Sequence, residues 1–436
     1  MQTRIEPRLL KGFRDFLPEE EAHRRWMLQK IANAFEICGF EPIQTPTIEY
    51  LDILMGKYGE EGEKLLYHFK DHGERDVALR YDLTVPLARF VAQHRDIARP
   101  FKRYQIGCVF RAEKPAHGRF REFVQCDADC VGSASFLADA ECVSAGILAL
   151  KALGLENFQV RIGHRGVLSA ILEHFSITNH VPVLRALDKL EKQGEEAVIL
   201  EIENLGIDTN TAKRLLDTVK SPEGLTIAQQ VSPVAVHNLR QIIEALSNMG
   251  FRGHVTIDLT IARGLDYYTG AVFETKILDL PDMGSVMSGG RYDSLLGMFS
   301  GEDLPAVGIS IGVDRLFAAL VELGRFQGGR QGVFVVVCPF EDVALPLSLQ
   351  VLQMLRQVSI PSEAMVDFPS RPKKQLAYAD RRRARFAVLV GGREVQENFL
   401  TVRDLSTGEQ RNMGIEEAIG FLRSQFGAQS GNGQGT

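Results

Sequence analysis

An α+β fold is predicted, with an antiparallel β-sheet core flanked by helices, and three observations carry the prediction. Runs with two-residue alternation at 101–111, 119–130, 254–260, 271–278, 288–295 and 308–313 crowd together more than crossover helices would allow in a parallel sheet. Between about 173 and 250 the apolar spacing changes to the helical period. Past residue 332 strand and helix patterns alternate, which marks a separate α/β domain with a mixed sheet. The expected organisation is a first domain over 1–325 with a helical insertion at about 173–250, a second over 332–426, and a disordered tail over 427–436.

The elements follow in order. Pro18 opens a helix whose first turn carries Glu19, Glu20 and Glu21 at the positive dipole end; Met27, Ile31, Ala34, Phe35 and Cys38 form its buried stripe, and Gly39 ends it. The run 40–50 alternates as a strand, but Pro42 and Pro46 restrict it to an edge. Residues 101–111 and 119–130 form a long antiparallel hairpin around AEKPAHG. On its second strand Arg119, Arg121, Phe123, Gln125, Asp127 and Asp129 share one face, which is too polar for a plain core. In the insertion Leu184, Leu187 and Leu190, then Val236, Leu239, Ile243 and Leu246, repeat helically. The strand 308–313 runs into a helix over 314–320, and a Gly-rich stretch at 324–332 is the boundary. Beyond it come strand 333–338, helix 342–358, strand 362–367, helix 372–383, strands 386–390 and 399–405, and helix 414–425.

Composition excludes several classes. With 436 residues, 45% apolar and 24% charged, the chain is neither a disulfide scaffold nor disordered nor a membrane bundle. A formal charge of −6 excludes a uniformly basic coat but permits a local basic patch. The six cysteines include no C-x-x-C pair, so reduced structural thiols and a cytoplasmic location are expected. No apolar run approaches the roughly 20 residues of a membrane span, and the first residues lack the apolar stretch of a secretion signal.

Three features resist a structural explanation. Arg111, Arg119, Arg263 and Arg315 stand on or beside β-patterned, partly apolar runs, where an unpaired charge is costly; converging guanidinium groups suit a triphosphate. The plain alternative for each is a surface salt bridge. Asp82, Thr84, Gln125 and Asp129 form an acceptor set suited to the amino group and polar side chain of a small zwitterion. Alternatively, Asp82 caps a turn and the other two are solvated sheet residues. Tyr267 and Tyr268 are adjacent, so at most one faces a site from a strand. Third, residues 371–385 hold seven basic residues and one acidic, either a solvated helix face or a contact surface for RNA phosphates. Neither a Walker loop nor G-x-G-x-x-G after a first strand occurs. His94, His117, His164 and His174 lack metal-ligand spacing and are read as structural or surface residues.

The run TPTIEY resembles motif 1 of the class II aminoacyl-tRNA synthetases, the hairpin FKRYQIGCVFRAEKP to GRFREFVQCDAD resembles motif 2, and AVGISIGVDRLFAAL resembles motif 3. IARGLDYYTGAVFE and SGGRYD are similar to signature segments of the histidyl-tRNA synthetases, and residues 333–425 to that family's anticodon-binding domain. The resemblance implies a cytoplasmic, homodimeric ligase that activates L-histidine with ATP and Mg²⁺ and transfers it to tRNA(His). It implies that Arg111 and Arg263 are catalytic at the α-phosphate, and that Arg111, Glu113, Arg119, Phe123 and Arg315 bind ATP. Asp82, Thr84, Arg111, Gln125, Asp129, Arg263, Tyr267 and Tyr268 are the implied histidine-binding residues. Many relatives carry Glu at the positions of Asp82 and Asp129; the acceptor charge is kept. Arg381, Arg382 and Arg383 are the expected tRNA contacts, and no metal ligands are assigned. A non-catalytic paralogue of the ATP phosphoribosyltransferase regulatory type would sense histidine or tRNA; it predicts lost arginines and commonly no C-terminal domain.

Overall fold

The computed structural model describes residues 5–56, 62–115, 118–262, 268–326 and 332–431. The chain divides into two compact units after Gln327. In the first, helix Pro18–Ile37 has Pro at its start and buries Met27, Ile31, Ala34 and Phe35. Gly39, at φ +76°, turns the chain out of it, a backbone conformation that glycine adopts without penalty.

The single edge strand expected over 40–50 is two short strands in two sheets. β1 (Glu41–Pro42) and β2 (Ile48–Tyr50) are separated by a stretch containing Pro46, which has no N–H for a ladder. β2 joins β3 (His68–Lys70) and β4 (Asp76–Leu79) in a small antiparallel sheet.

The main sheet also contains β5 (Phe101–Phe110), β6 (Glu122–Val131), β7 (Phe158–His164), β8 (Val255–Ile257), β9 (Ala271–Ile277), β10 (Met287–Arg291) and β11 (Ala306–Gly312), in the order β1-β5-β6-β11-β10-β9-β7-β8. Its six central strands are antiparallel, while β1 and β8 lie parallel to their neighbours. The antiparallel core expected from the sequence is present, and parallel pairing is found at these edges. A parallel pair needs a long connection, and the helical insertion supplies it between β7 and β8. That insertion begins with helix Arg165–His174, earlier than residue 173, and ends with helix Pro233–Asn248. Helix Phe136–Ala152 is apolar nearly all round because it packs against the sheet, helix Pro18–Ile37 and helix Pro233–Asn248.

Register places a polar row across one face of this sheet. Gln105 on β5 pairs with Asp127 on β6, Asp127 with Ser310 on β11, Ser310 with Ser288 on β10, Ser288 with Glu274 on β9, and Glu274 with Arg161 on β7. Polar groups at the centre of a sheet require something other than a hydrophobic layer above them.

The second unit is a mixed five-stranded sheet in the order β13-β12-β14-β15-β16, built from β12 (Val335–Pro339), β13 (Ser362–Ala364), β14 (Phe386–Val390), β15 (Phe399–Asp404) and β16 (Gln410–Gly414). Val335 and Val337 pack with Val351, Leu355 and Leu422 from two helices, whereas Val336 and Cys338 pack with Ala379 on the opposite face. Coverage of both faces explains the unbroken apolar run in β12. β16 and the short helix Gly392–Glu397 are additions to the expected pattern. The last helix, Ile415–Gly431, runs past residue 427, correcting the tail expected there; residues 432–436 lie outside the described residues. No helix among the described residues is long and apolar enough to cross a membrane.

Candidate active site

A cavity of about 350 Å³ opens over the polar face of the main sheet. β6 runs along it and contributes Phe123, Gln125, Asp127 and Asp129, successive same-face positions separated by about 6.7 Å. The cavity is therefore graded in charge along one strand, aromatic and basic near Phe123 and acidic near Asp129.

Arg111, just beyond β5, packs its guanidinium 4.3 Å from the Tyr81 ring centre and 5.1 Å from that of Phe123. Its Nε donates to the Tyr81 carbonyl at 3.1 Å, so the side chain is oriented without any bound anion. Arg119 lies 3.8 Å from Glu113, and both line the same wall. Arg315 enters from the start of helix Val313–Glu322 and donates to the Ser285 carbonyl. Its neighbour Asp314 anchors that helix start. It is paired with Arg14 and with Arg24 Nη1, the latter at 2.7 Å, and accepts from the Val124 amide at 3.0 Å.

At the acidic end, Asp82 Oδ1 accepts from the Val85 amide at 3.0 Å while Asp82 and Thr84 also line the cavity. Asp82 thus caps this turn and lines the cavity at once. Gln125 and Asp129 are buried, which excludes solvated sheet residues. Asp129 is 3% exposed; its Oδ2 lies 2.7 Å from Nη2 of Arg103, a guanidinium with no exposed surface, and it receives the Tyr292 hydroxyl. Opposite it, a Cβ on Gly308 would fall 1.9 Å from Asp129 Oδ1, so only glycine leaves room for this carboxylate. Gln125 Nε2 donates to Ser310 Oγ at 2.5 Å and lies 3.4 Å from Asp127 Oδ1, while its Oε1 is buried with no hydrogen-bond partner among the described residues. Burial, reinforced by Asp129, pushes the Asp127 carboxyl up to about 7. Burial also raises Asp129, and Arg103 opposes that shift.

The structure thus brings Asp82, Thr84, Arg111, Glu113, Arg119 and Phe123 into one cavity with Gln125, Asp129, Tyr268 and Arg315. Arg263 and Tyr267 lie outside the described residues. Arg381, Arg382 and Arg383 belong to the second unit: Arg381 ends helix Pro372–Arg381 exposed, Arg382 forks onto Glu363 at 2.5 and 3.0 Å, and Arg383 sits at φ +52°. Sequence reasoning missed Asp127, Ser310, Tyr292 and the buried Arg103. Asp127 shares the two-residue period of Gln125 and Asp129, so the signal for it was present. Of the four histidines, His164 caps helix Arg165–His174 by accepting from the Gly166 amide at 3.0 Å, and burial lowers its pKa to about 4. His94 and His174 sit against Phe90 and Phe175, and His117 lies outside the described residues.

Cations oriented by packing at one end suit a polyphosphate, and acceptors at the other suit an ammonium group or a ring N–H. Comparison with known proteins gives the same direction. The family model described as "Histidyl-tRNA synthetase" matches residues 12–316, and the one described as "Anticodon binding domain" matches 334–425. The histidine–tRNA ligase of Wolinella succinogenes is 42% identical over 97% of this chain and 99% of its own length. The crystal structure of histidyl-tRNA synthetase from Nostoc sp. PCC 7120 superposes with a TM-score of 0.84 at 33% identity, covering 97% of this chain and all of that one. A Bacillus halodurans structure described as an ATP phosphoribosyltransferase regulatory subunit/histidyl-tRNA synthetase has a TM-score of 0.76 at 24% identity over 90% of this chain and all of that one, a likeness of fold alone.

Proposed function

The chain belongs to the histidyl-tRNA synthetase family, and we propose from that premise that the cavity activates L-histidine with ATP and transfers it to tRNA(His). The observation that carries the reading is the cavity's charge gradient, with arginines at one end and buried carboxylates at the other. Arg111, Arg119 and Arg315 hold the phosphates, with Glu113 beside Arg119 and Phe123 under the adenine. Asp82 and Thr84 take the amino group of histidine. Gln125, Asp129 and Tyr268 surround its ring, and Tyr267 and Arg263 complete the set by family resemblance.

The histidine carboxylate attacks the α-phosphorus in line and pyrophosphate leaves. Negative charge grows on the nonbridging oxygens, so pre-oriented guanidinium groups stabilise the transition state more than the ground state. Then the terminal ribose hydroxyl of the tRNA attacks the acyl carbon and AMP departs. No side-chain nucleophile is required. A Mg²⁺ that enters with ATP would take one or two protein carboxylates and keep several waters. Glu113 is the carboxylate on the phosphate wall that would hold it, and the ion would neutralise phosphate charge.

We assign the second unit to tRNA, with Arg381, Arg382 and Arg383 as contacts, and infer a cytoplasmic homodimer from the family. The regulatory paralogue is disfavoured because this chain carries both the cavity arginines and the second unit. The role of Arg263 is tested by Arg263→Ala: histidine-dependent ATP–pyrophosphate exchange should be largely lost with the fold intact. Normal exchange by that variant would refute the role.

A further inference from the structure

Gln125, Ser310 and Asp127 form a directed hydrogen-bond chain at the acidic end of the cavity. The Gln125 amide nitrogen donates to Ser310 Oγ at 2.5 Å and more distantly to Asp127 Oδ1 at 3.4 Å, and the Ser310 hydroxyl, opposite Asp127 in the strand register, has that carboxylate as its acceptor. A hydroxyl has a single hydrogen, so the acceptor at the end of such a chain sets its direction. Register fixes the parts: Asp127 stands opposite Ser310 on one side and Gln105 on the other, and only 2% of its surface is exposed. The consequence falls on Gln125 Oε1, a buried acceptor of a cavity-lining residue that no group among the described residues satisfies. A buried acceptor left in this state is destabilising until a donor arrives.

We propose that Asp127 is a positioning residue for substrate recognition: through Ser310 it holds the Gln125 amide with its nitrogen turned to the sheet and its oxygen left to accept an N–H from the ring of histidine. The proposal rests on the assignment of this end of the cavity to the histidine side chain. Asp127 never touches the substrate in this scheme; it determines which atom of Gln125 does.

The charges facing Asp127 are Asp129 on its own strand, Arg103 on β5, Asp82 before helix Thr84–Gln93, and Arg80 after β4; Ser310 on β11 is its hydroxyl neighbour. Glu274 continues the row on β9 and is engaged with Arg161. Burial among these groups moves the Asp127 titration toward neutrality. A protonated Asp127 would donate rather than accept, reverse the Ser310 hydroxyl and turn the Gln125 nitrogen toward the ligand.

Steady-state ATP–pyrophosphate exchange with Asp127→Asn tests this, since an amide at 127 can donate into the chain. KM for histidine should rise about tenfold while KM for ATP stays within about twofold of wild type. The wild-type KM for histidine should also climb more steeply on acidification through pH 7 than that of the variant, the substrate's own ionisation being common to both. Ser310→Ala breaks the chain at its middle and should give the same split; it decides the matter should Asp127→Asn not fold. An unchanged KM for histidine, or equal losses for histidine and ATP, would overturn the positioning role. Absence of any histidine-dependent exchange by the wild-type protein would instead overturn the histidine reading on which the role stands.

Discussion

The arginines of the cavity and the basic residues of 371–385 are similar charges in two physical settings. Arg111 is clamped between two aromatic rings and a carbonyl, partly out of water. Arg371, Lys373, Lys374 and Arg381 are exposed around one helix, while Arg382 and Arg385 are paired with Glu363 and Asp404. A guanidinium fixed before its ligand arrives has little rotamer freedom left to lose and acts across a lower dielectric. An exposed one acts through a long-range field that salt screens. The density of basic residues along the chain is highest in the second setting, yet the greater effect per residue is expected in the first.

The largest test of this contrast is Arg111→Ala, which should lower kcat/KM for pyrophosphate exchange by about 10²–10³-fold. A loss under about tenfold would place Arg111 among the screened charges. Next is the stability effect of burial itself. The Asp127 pKa is raised in the folded chain, so its favourable contribution is complete below the ordinary Asp value of 3.8 and is lost as pH rises through about 7. Asp127→Asn should therefore gain roughly 1–2 kcal/mol against urea at pH 8 and almost nothing at pH 4. An equal gain at both pH values would remove the titration from the explanation.

The smallest effect is expected from the exposed set. Replacing Arg381 and Arg383 by Gln should lower tRNA charging about three- to tenfold at physiological salt and leave exchange unchanged. The deficit should shrink at low salt. Equal loss in both assays would contradict a contact confined to tRNA. Arg382 is excluded from that variant because its fork on Glu363 makes it partly structural.

Much of this contrast could be read from the sequence, and the unread part has physical causes. The hairpin was legible because β5 and β6 are long, ten residues each, and the two-residue period of a strand placed Phe123, Gln125, Asp127 and Asp129 on one face. Alternation says which residues share a face but not what covers it, so the burial of Asp129 by Arg103 and Tyr292 depended on strand order. The small sheet of β2, β3 and β4 was not legible, since strands of three or four residues leave no measurable period. β7 adds a strand to those expected although its pattern is regular: Phe158, Val160 and Ile162 alternate with polar or small residues and are all buried. Asp314 illustrates the remaining difficulty, for its partners Arg14 and Arg24 lie some 300 residues away along the chain.

The central claim is that oriented arginines and buried acceptors in one cavity serve ATP and histidine together. ATP–pyrophosphate exchange measured with each of the twenty amino acids tests it most directly. Rapid exchange with histidine and background rates with the other nineteen is the predicted result; no exchange with histidine, or preference for a different amino acid, would contradict it.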